Sequence, residues 1–69
     1  MSFAEAIIKL RGERRISQRQ LAAELNVSYA SVNRWENEKT MPNKMTMFVI
    51  RQYCKEHNIE FAYSNETNK

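Results

Sequence analysis

Two helix-start signals stand close together near the middle of this 69-residue chain. Ser17 with Gln20 forms a capping box, in which each side chain bonds a backbone N–H group of the other residue. Ser28 is a second residue suited to an N-cap, and Asn26 between the two caps tolerates the left-handed conformation that ends helices. Apolar residues occupy the hydrophobic-staple positions around each cap, namely Ile16 with Leu21 and Val27 with Val32. The pattern predicts two short helices joined by a tight turn.

Similar signals predict one further helix on each side of this pair. Ser2 and Glu5 form a capping box before a helical apolar pattern, and Asn43, which follows Pro42, is suited to cap the last helix. The predicted helices run over about residues 3–14, from Ser17 or Gln18 to Asn26, from Ser28 to about Asn37, and from about Lys44 to His57.

A chain with one Gly and one Pro has too few turn residues for an all-β fold, and 69 residues form a single small core. We therefore predict an all-α, compact four-helix domain over residues 1–58. Residues 59–69 form a tail in which apolar residues alternate with others, and we expect this tail to be extended or disordered; the alternating residues are Ile59, Phe61 and Tyr63.

The predicted fourth helix carries two apolar stripes, although one face is enough to cover a small core. The first stripe contains Met45, Phe48 and Val49, and the second contains Met47, Ile50, Tyr53, Cys54 and His57. One stripe must therefore face something other than the preceding helices.

The positive charge of the chain is concentrated in its first four fifths. The net charge is +3, and residues 1–55 carry ten basic and five acidic side chains. This excess is compatible with binding to a polyanion, but a small protein can be basic for solubility alone. Charge favours a nucleic-acid partner only weakly.

Counting chemical groups argues against an enzyme. The chain has no Asp, one His and one Cys, and its single Gly cannot form a phosphate-binding loop. We expect no catalytic residues, no cofactor and no metal site, with His57 and Cys54 serving structural roles. The lone Cys54 suggests a reducing cytoplasm, and we expect neither a membrane span nor a signal peptide because charges interrupt every apolar stretch.

The predicted third helix has two sides of different chemistry. At about 100 degrees per residue, Ser28, Val32 and Trp35 face one way, and the opposite side carries Tyr29, Ala30, Asn33, Arg34 and Asn37. That opposite side has no carboxylate. Arginine can bind guanine, asparagine can bind adenine, and alanine or tyrosine can contact a thymine methyl group. The pattern favours base recognition over an ordinary solvated face, which usually carries Glu and Lys.

The segment from Leu10 to Pro42 resembles the Cro/C1-type helix-turn-helix DNA-binding domain of phage and bacterial regulators, also called the xenobiotic-response-element family. The resemblance is carried by the following residues: Leu10 and Arg11; Ser17, Gln18, Leu21, Ala22, Leu25, Val27 and Ser28; Val32, Trp35, Glu36 and Asn37; and Pro42. It implies a lambda-repressor-like fold and a small cytoplasmic transcription regulator, which we expect to be a repressor bound to double-stranded DNA.

The resemblance also implies roles for individual residues. Tyr29, Ala30 and Arg34 match base-contact positions, with Asn33 on the border of that set. Gln18 and Asn37 match phosphate contacts. Three loop residues lie nearby as further phosphate contacts or as ordinary solvated residues: Lys39, Thr40 and Lys44.

Two further expectations concern structure and assembly. Arg11 and Glu36 match an ion pair of the family, while the usual turn glycine is replaced by Asn26. The family's common fifth helix is absent from the pattern, so we expect a homodimer, if one forms, to use residues 44–57 and the tail. The alternative to DNA binding is a protein-interaction module, an antitoxin or adaptor, that binds its partner through the stripe of the fourth helix that does not face the core.

Overall fold

The computed structural model describes residues 1–63 and contains four helices in this part of the chain. They are α1 (Phe3–Arg14), α2 (Gln18–Leu25), α3 (Tyr29–Glu36) and α4 (Lys44–Glu56). The helix α3 packs against both α1 and α2, and α2 also contacts α4. The all-α prediction is confirmed. None of these helices has the length and apolar character needed to cross a bilayer.

All four helices begin at the residues that the sequence predicts. The caps are Ser2, Ser17, Ser28 and Asn43, and each side chain accepts a hydrogen bond from the backbone N–H three residues later. Ser2 and Ser17 form complete capping boxes with Glu5 and Gln20. Each cap satisfies an N–H group that has no partner inside its helix, which localises the start of the helix.

All four helices end in the same local geometry. The left-handed residues are Arg15, Asn26, Glu38 and Asn58, with φ between 56 and 61 degrees. The N–H of the residue that follows each one bonds the carbonyl five residues back, for example Ile16 to Arg11 at 3.2 Å and Val27 to Ala22 at 2.9 Å. This is the Schellman arrangement, which satisfies carbonyl groups at a helix end. The sequence predicts the left-handed role of Asn26 and misses those of the other three residues.

The core lies between α1 and the other helices, and its largest fully buried side chains come from all four. They include Ile7, Leu10, Leu21, Val32 and Ile50, all at most 1 % exposed. The staple residues Ile16 and Val27 are half-buried against this core. Burying such side chains stabilises the fold by about 1.5 to 3 kcal/mol each.

The structure resolves which stripe of α4 faces the core. Met47, Ile50, Tyr53 and Cys54 are buried, whereas Met45, Phe48 and Val49 are 73, 62 and 38 % exposed. His57 lies at the end of the core-facing stripe, in agreement with its predicted structural role. His57 is the C-cap of α4 and is exposed. Its ring packs on the ring of Tyr53, with the ring centroids 4.3 Å apart.

The described part of the tail lies against the body of the domain. Ile59, Phe61 and Tyr63 are half-buried, and the rings of Phe61 and Tyr63 meet Phe3 edge to face with centroids 6.0 and 5.4 Å away. These residues form no strand, so the alternation reflects burial of every second side chain against the core. The remainder of the predicted tail, residues 64–69, lies outside the described residues.

A polar cluster connects α1, α2 and α4 on the rim of the core. Arg14 donates to the Tyr53 hydroxyl at 2.7 Å and to Glu24 at 3.0 Å, and the Tyr53 hydroxyl donates to the same carboxylate. Hydrogen bonds from Tyr53 and Arg14 hold the pKa of Glu24 below its usual value. The cluster gives the buried Tyr53 ring a partner for its hydroxyl group.

We predict that Arg15→Gly is more stable than Arg15→Ala, because alanine keeps the Cβ atom that disfavours φ of 58 degrees. The expected difference is about 0.5 to 1 kcal/mol, or about 3 to 6 °C in melting temperature, after allowing for the greater unfolded-state entropy of glycine. Both variants lose the arginine side chain, so the comparison isolates the backbone effect. Equal melting temperatures would contradict a left-handed residue 15.

Candidate nucleic-acid interface

The helix α3 is held to the core by one side and presents the other to solvent. Val32 and Trp35 are 0 and 4 % exposed, and Trp35 meets the ring of Phe3 edge to face with centroids 5.9 Å apart. On the opposite side, the exposed residues are Tyr29, Ala30, Arg34 and Asn37, with Asn33 half-buried beside them. The predicted orientation of Ser28 is wrong. Ser28 is exposed, because it is the cap and its hydroxyl bonds Ser31 rather than the core.

The carboxylate of α3 is turned away from this exposed side. Arg11 on α1 donates from Nε to Glu36 Oε2 at 2.6 Å and from Nη2 to Oε1 at 2.9 Å, so the pair is bidentate. The Glu36 side chain is only 7 % exposed. Arg11 also donates to the carbonyl of Ile16 at 3.2 Å. The predicted ion pair is confirmed, and it removes from the exposed side the negative charge that would repel phosphate.

Two opposing effects act on the pKa of Glu36. Burial raises this pKa, whereas hydrogen bonds from Arg11 and Gln18 and the positive charge of Arg11 lower it. The net direction is downward from 4.5. Glu36 is therefore an anion at neutral pH, and the same hydrogen bond raises the pKa of Arg11.

A chain of side-chain amides leads from Glu36 to the exposed side of α3. Gln18 Nε2 donates to Glu36 Oε1 at 2.8 Å, and Asn33 Nδ2 donates to Gln18 Oε1 at 3.3 Å. Asn37 Nδ2 then donates to the backbone carbonyl of Asn33 at 2.8 Å. A carboxylate only accepts hydrogen bonds, so Glu36 determines which end of the Gln18 amide faces it. Three of the predicted site residues, Gln18, Asn33 and Asn37, are thus brought together.

Three more residues of the predicted set lie beyond α3: Lys39 and Thr40 in the loop, and Lys44 at the start of α4. Lys39, Thr40 and Lys44 are all exposed, and Lys39 and Thr40 line a groove of about 390 Å³ that also contacts Phe3 and Trp35. Glu38 stands next to Lys39 and offsets part of its charge. The start of the loop is joined to α3 by a backbone hydrogen bond from the Lys39 N–H to the Arg34 carbonyl at 2.9 Å.

Sequence reasoning misses one contact in this region. The guanidinium carbon of Arg19, in the first turn of α2, lies 4.4 Å from the centroid of the Tyr29 ring. The two residues are far enough apart along the chain that helical periodicity cannot relate them. The sequence offers one signal for it, since Arg19 directly follows Gln18, which is a predicted phosphate contact.

The arrangement suits recognition of a polyanion more than catalysis. The neutral amides and guanidinium groups can donate to phosphate oxygens and base edges. Within residues 1–63, no three His, Cys, Asp or Glu side chains are grouped so that they could hold a metal ion. Two short helices joined by a tight turn, with the second exposed on one side, define the helix-turn-helix class.

Comparison with known protein families agrees with this geometry. Residues 7–59 match the helix-turn-helix family, and the chain belongs to its Cro/C1-type members, a family of DNA-binding transcription regulators. The match begins in α1 and extends beyond the end of α4, so it covers α2, α3 and α4 completely and most of α1. Neither curated proteins nor solved structures show a significant match to the chain.

We predict that Glu36→Gln lowers the free energy of unfolding at pH 7 by about 1 to 3 kcal/mol, because it leaves Arg11 without its charged partner. A lowered pKa means that the wild-type contribution is complete above pH about 4.5 and is lost as the pH falls below that value. The variant should therefore show a weaker loss of stability in acid. Denaturant titrations at several pH values measure both effects.

The matched control is Glu13→Gln. Glu13 pairs with Lys9, but both side chains are more than 40 % exposed, so this change should stay within about 0.5 kcal/mol. Equal effects of the two substitutions would contradict the special role of the partly buried pair.

Proposed function

We propose that this protein binds specific duplex DNA by placing α3 in the major groove, and that it acts as a transcriptional repressor. One observation carries the proposal: α3 exposes neutral and basic side chains while its carboxylate is withdrawn into the pair with Arg11. An acidic group on that side would oppose approach to phosphate. Repression also needs only occupancy of an operator, which a small DNA-binding domain provides.

The base-reading roles fall to the exposed residues of α3. Arg34 is long and exposed and can donate two hydrogen bonds to guanine. Ala30 can contact a thymine methyl group, and so can Tyr29, which is the first residue of α3. Asn33 is half-buried and bonded to Gln18, so it reaches DNA only if its amide turns outward or a base edge approaches closely.

The phosphate-binding roles fall to residues around α3. Gln18 uses one N–H of its amide for Glu36, which leaves the second N–H for a phosphate oxygen at the start of α2. Backbone N–H groups and the positive end of the helix dipole add to this site. Asn37, Lys39, Thr40 and Lys44 extend the contact along the backbone of the duplex.

Selection from a pool of random duplexes, followed by a salt titration, tests this proposal. Enrichment of one motif, with log K falling linearly as log salt rises, is the expected result. A failure to enrich any motif at moderate salt would overturn it. Binding to a protein partner with little response to salt would instead favour the interaction module.

We predict that Arg34→Ala weakens binding to the selected site by about 1 to 3 kcal/mol and relaxes the preference at one base pair. Lys39→Ala should weaken selected and random duplexes by similar factors, because a phosphate contact carries no sequence information. Fluorescence anisotropy with both duplexes measures the two effects.

Lys55→Ala serves as the charge-matched control. It removes one positive charge from the last turn of α4, which carries none of the proposed contacts, and should change binding little. Equal losses from Arg34→Ala on selected and random DNA would make Arg34 a phosphate contact and contradict the assignment.

We propose further that the protein pairs with a second copy of itself through the exposed stripe of α4. Met41 adjoins this stripe and is 52 % exposed, so Met41, Met45, Phe48 and Val49 form an exposed apolar patch of the kind that marks interaction sites. The apolar side chains of the tail pack on Phe3 of their own chain, so the interface is assigned to α4 rather than to the tail.

The patch has the features of a self-complementary surface. It combines the protruding ring of Phe48 with a groove of about 370 Å³ lined by Met41, Met47 and Arg51. Antiparallel pairing of two α4 helices would bring Lys44 of one copy toward Glu56 of the other. Such a dimer would present two recognition helices, and at a spacing of about 34 Å they would read a palindromic site on one face of the duplex.

We expect reversible dimerisation in the micromolar range, because four apolar residues from each copy are far fewer than the roughly 20 to 30 residues that each partner contributes to a standard stable interface. Phe48→Gln should shift sedimentation equilibrium to monomer. The matched control is Ile8→Gln on α1, where an apolar residue 46 % exposed lies outside the patch. An 8.2 kDa monomer up to submillimolar concentration, with one protein bound per DNA site, would contradict the dimer.

A further inference from the structure

The guanidinium group of Arg19, in the first turn of α2, lies over the ring of Tyr29, the first residue of α3. The guanidinium carbon lies 4.4 Å from the ring centroid, well inside the range of a cation–π contact. Both side chains are exposed, and Tyr29 is 40 % exposed despite the contact. The pair therefore lies on the surface and stabilises the core little.

No acidic group near Arg19 neutralises its positive charge within the part of the chain that the structure describes. The first turn of α2 contains no acidic residue, and within residues 1–63 no carboxylate oxygen lies within 4.0 Å of the Arg19 guanidinium. Its neighbour Gln18 belongs to the amide chain that leads to Asn33. A positive group therefore stands where the two helices of the motif begin.

We propose that Arg19 is a contact to the phosphate backbone of the duplex and that the ring of Tyr29 holds it in place. The proposal rests on the DNA-binding function proposed above. Stacking occupies the flat face of a guanidinium and leaves the N–H groups at its edge free, and that edge matches a phosphate in a bidentate contact. Lysine has the charge but neither the flat face nor the paired donors.

The same contact changes the role of Tyr29. Arg19 covers one face of the ring, so this face cannot pack on a thymine methyl group. Tyr29 then acts as a positioning residue through Arg19, and base reading is concentrated in Ala30, Asn33 and Arg34. The pair links phosphate contact and groove contact across the turn, so that the register of α3 on the duplex depends on the position of Arg19.

A double-mutant cycle on the full chain tests the proposal, with dissociation constants and salt slopes measured on the selected site and on a random duplex. Arg19→Ala should weaken both duplexes by a similar factor, about five- to tenfold, and should reduce the salt slope by about one. Tyr29→Ala should weaken binding through loss of the platform, and the coupling between the two changes should be about two- to fivefold.

Two conservative variants separate stacking from charge. Tyr29→Phe keeps the ring and should retain the coupling to Arg19, whereas Arg19→Lys should keep the salt slope and weaken the coupling, because an ammonium group lacks the flat face of a guanidinium. Melting temperatures of the exposed-site variants should stay close to that of the wild type, which excludes unfolding as the cause.

The outcomes distinguish this inference from the general function. Wild-type binding to a selected duplex, together with an unchanged affinity and salt slope for Arg19→Ala, would overturn the role of Arg19 alone. Additive effects of Arg19→Ala and Tyr29→Ala would overturn the platform. Absence of specific DNA binding by the wild type would overturn both proposals.

Discussion

The bidentate contact between Arg11 and Glu36 determines how α3 is presented to its surroundings. It joins α1 to the last turn of α3 and, through Gln18, to the first turn of α2, so three helices share one carboxylate. Burial of the Glu36 carboxylate with too few hydrogen bonds would destabilise the fold, because desolvation disfavours its charged form. Three charge-assisted and amide hydrogen bonds offset that cost. The orientation of the Gln18 amide, and through it that of Asn33, follows from this one pair.

Much of the fold could be predicted from the sequence because its helix boundaries are encoded locally. A Ser or Asn cap needs only the next three residues, so all four starts were accessible to sequence reasoning. Asn26 was accessible for the same reason, since asparagine tolerates the left-handed region. Arg15 and Glu38 were not, because neither residue type favours that region and nothing else in the local sequence indicates it.

Relations between elements could not be predicted from periodicity. Both stripes of α4 satisfy helical spacing, and only the positions of the other helices decide that Ile50 faces the core while Phe48 faces solvent. The stack of Arg19 on Tyr29 depends on the angle at the turn between α2 and α3. The ion pair of Arg11 and Glu36 can be predicted only from the family resemblance, because a family pattern contains tertiary information that a single sequence does not show.

The local character of the helix ends has a consequence for folding kinetics. Each cap bonds a group three residues away, and each terminating hydrogen bond joins residues five apart. The start and end of every helix are therefore determined by contacts within or next to that helix. Loop closures this short cost little chain entropy, and helical proteins rich in local contacts fold in about microseconds to milliseconds. The rate-limiting event should then be the docking of helices on one another, because the side-chain bonds from α1 to α3 and from α1 to α4 span 25 and 39 residues. A chain of this kind would reach its DNA-competent form soon after synthesis.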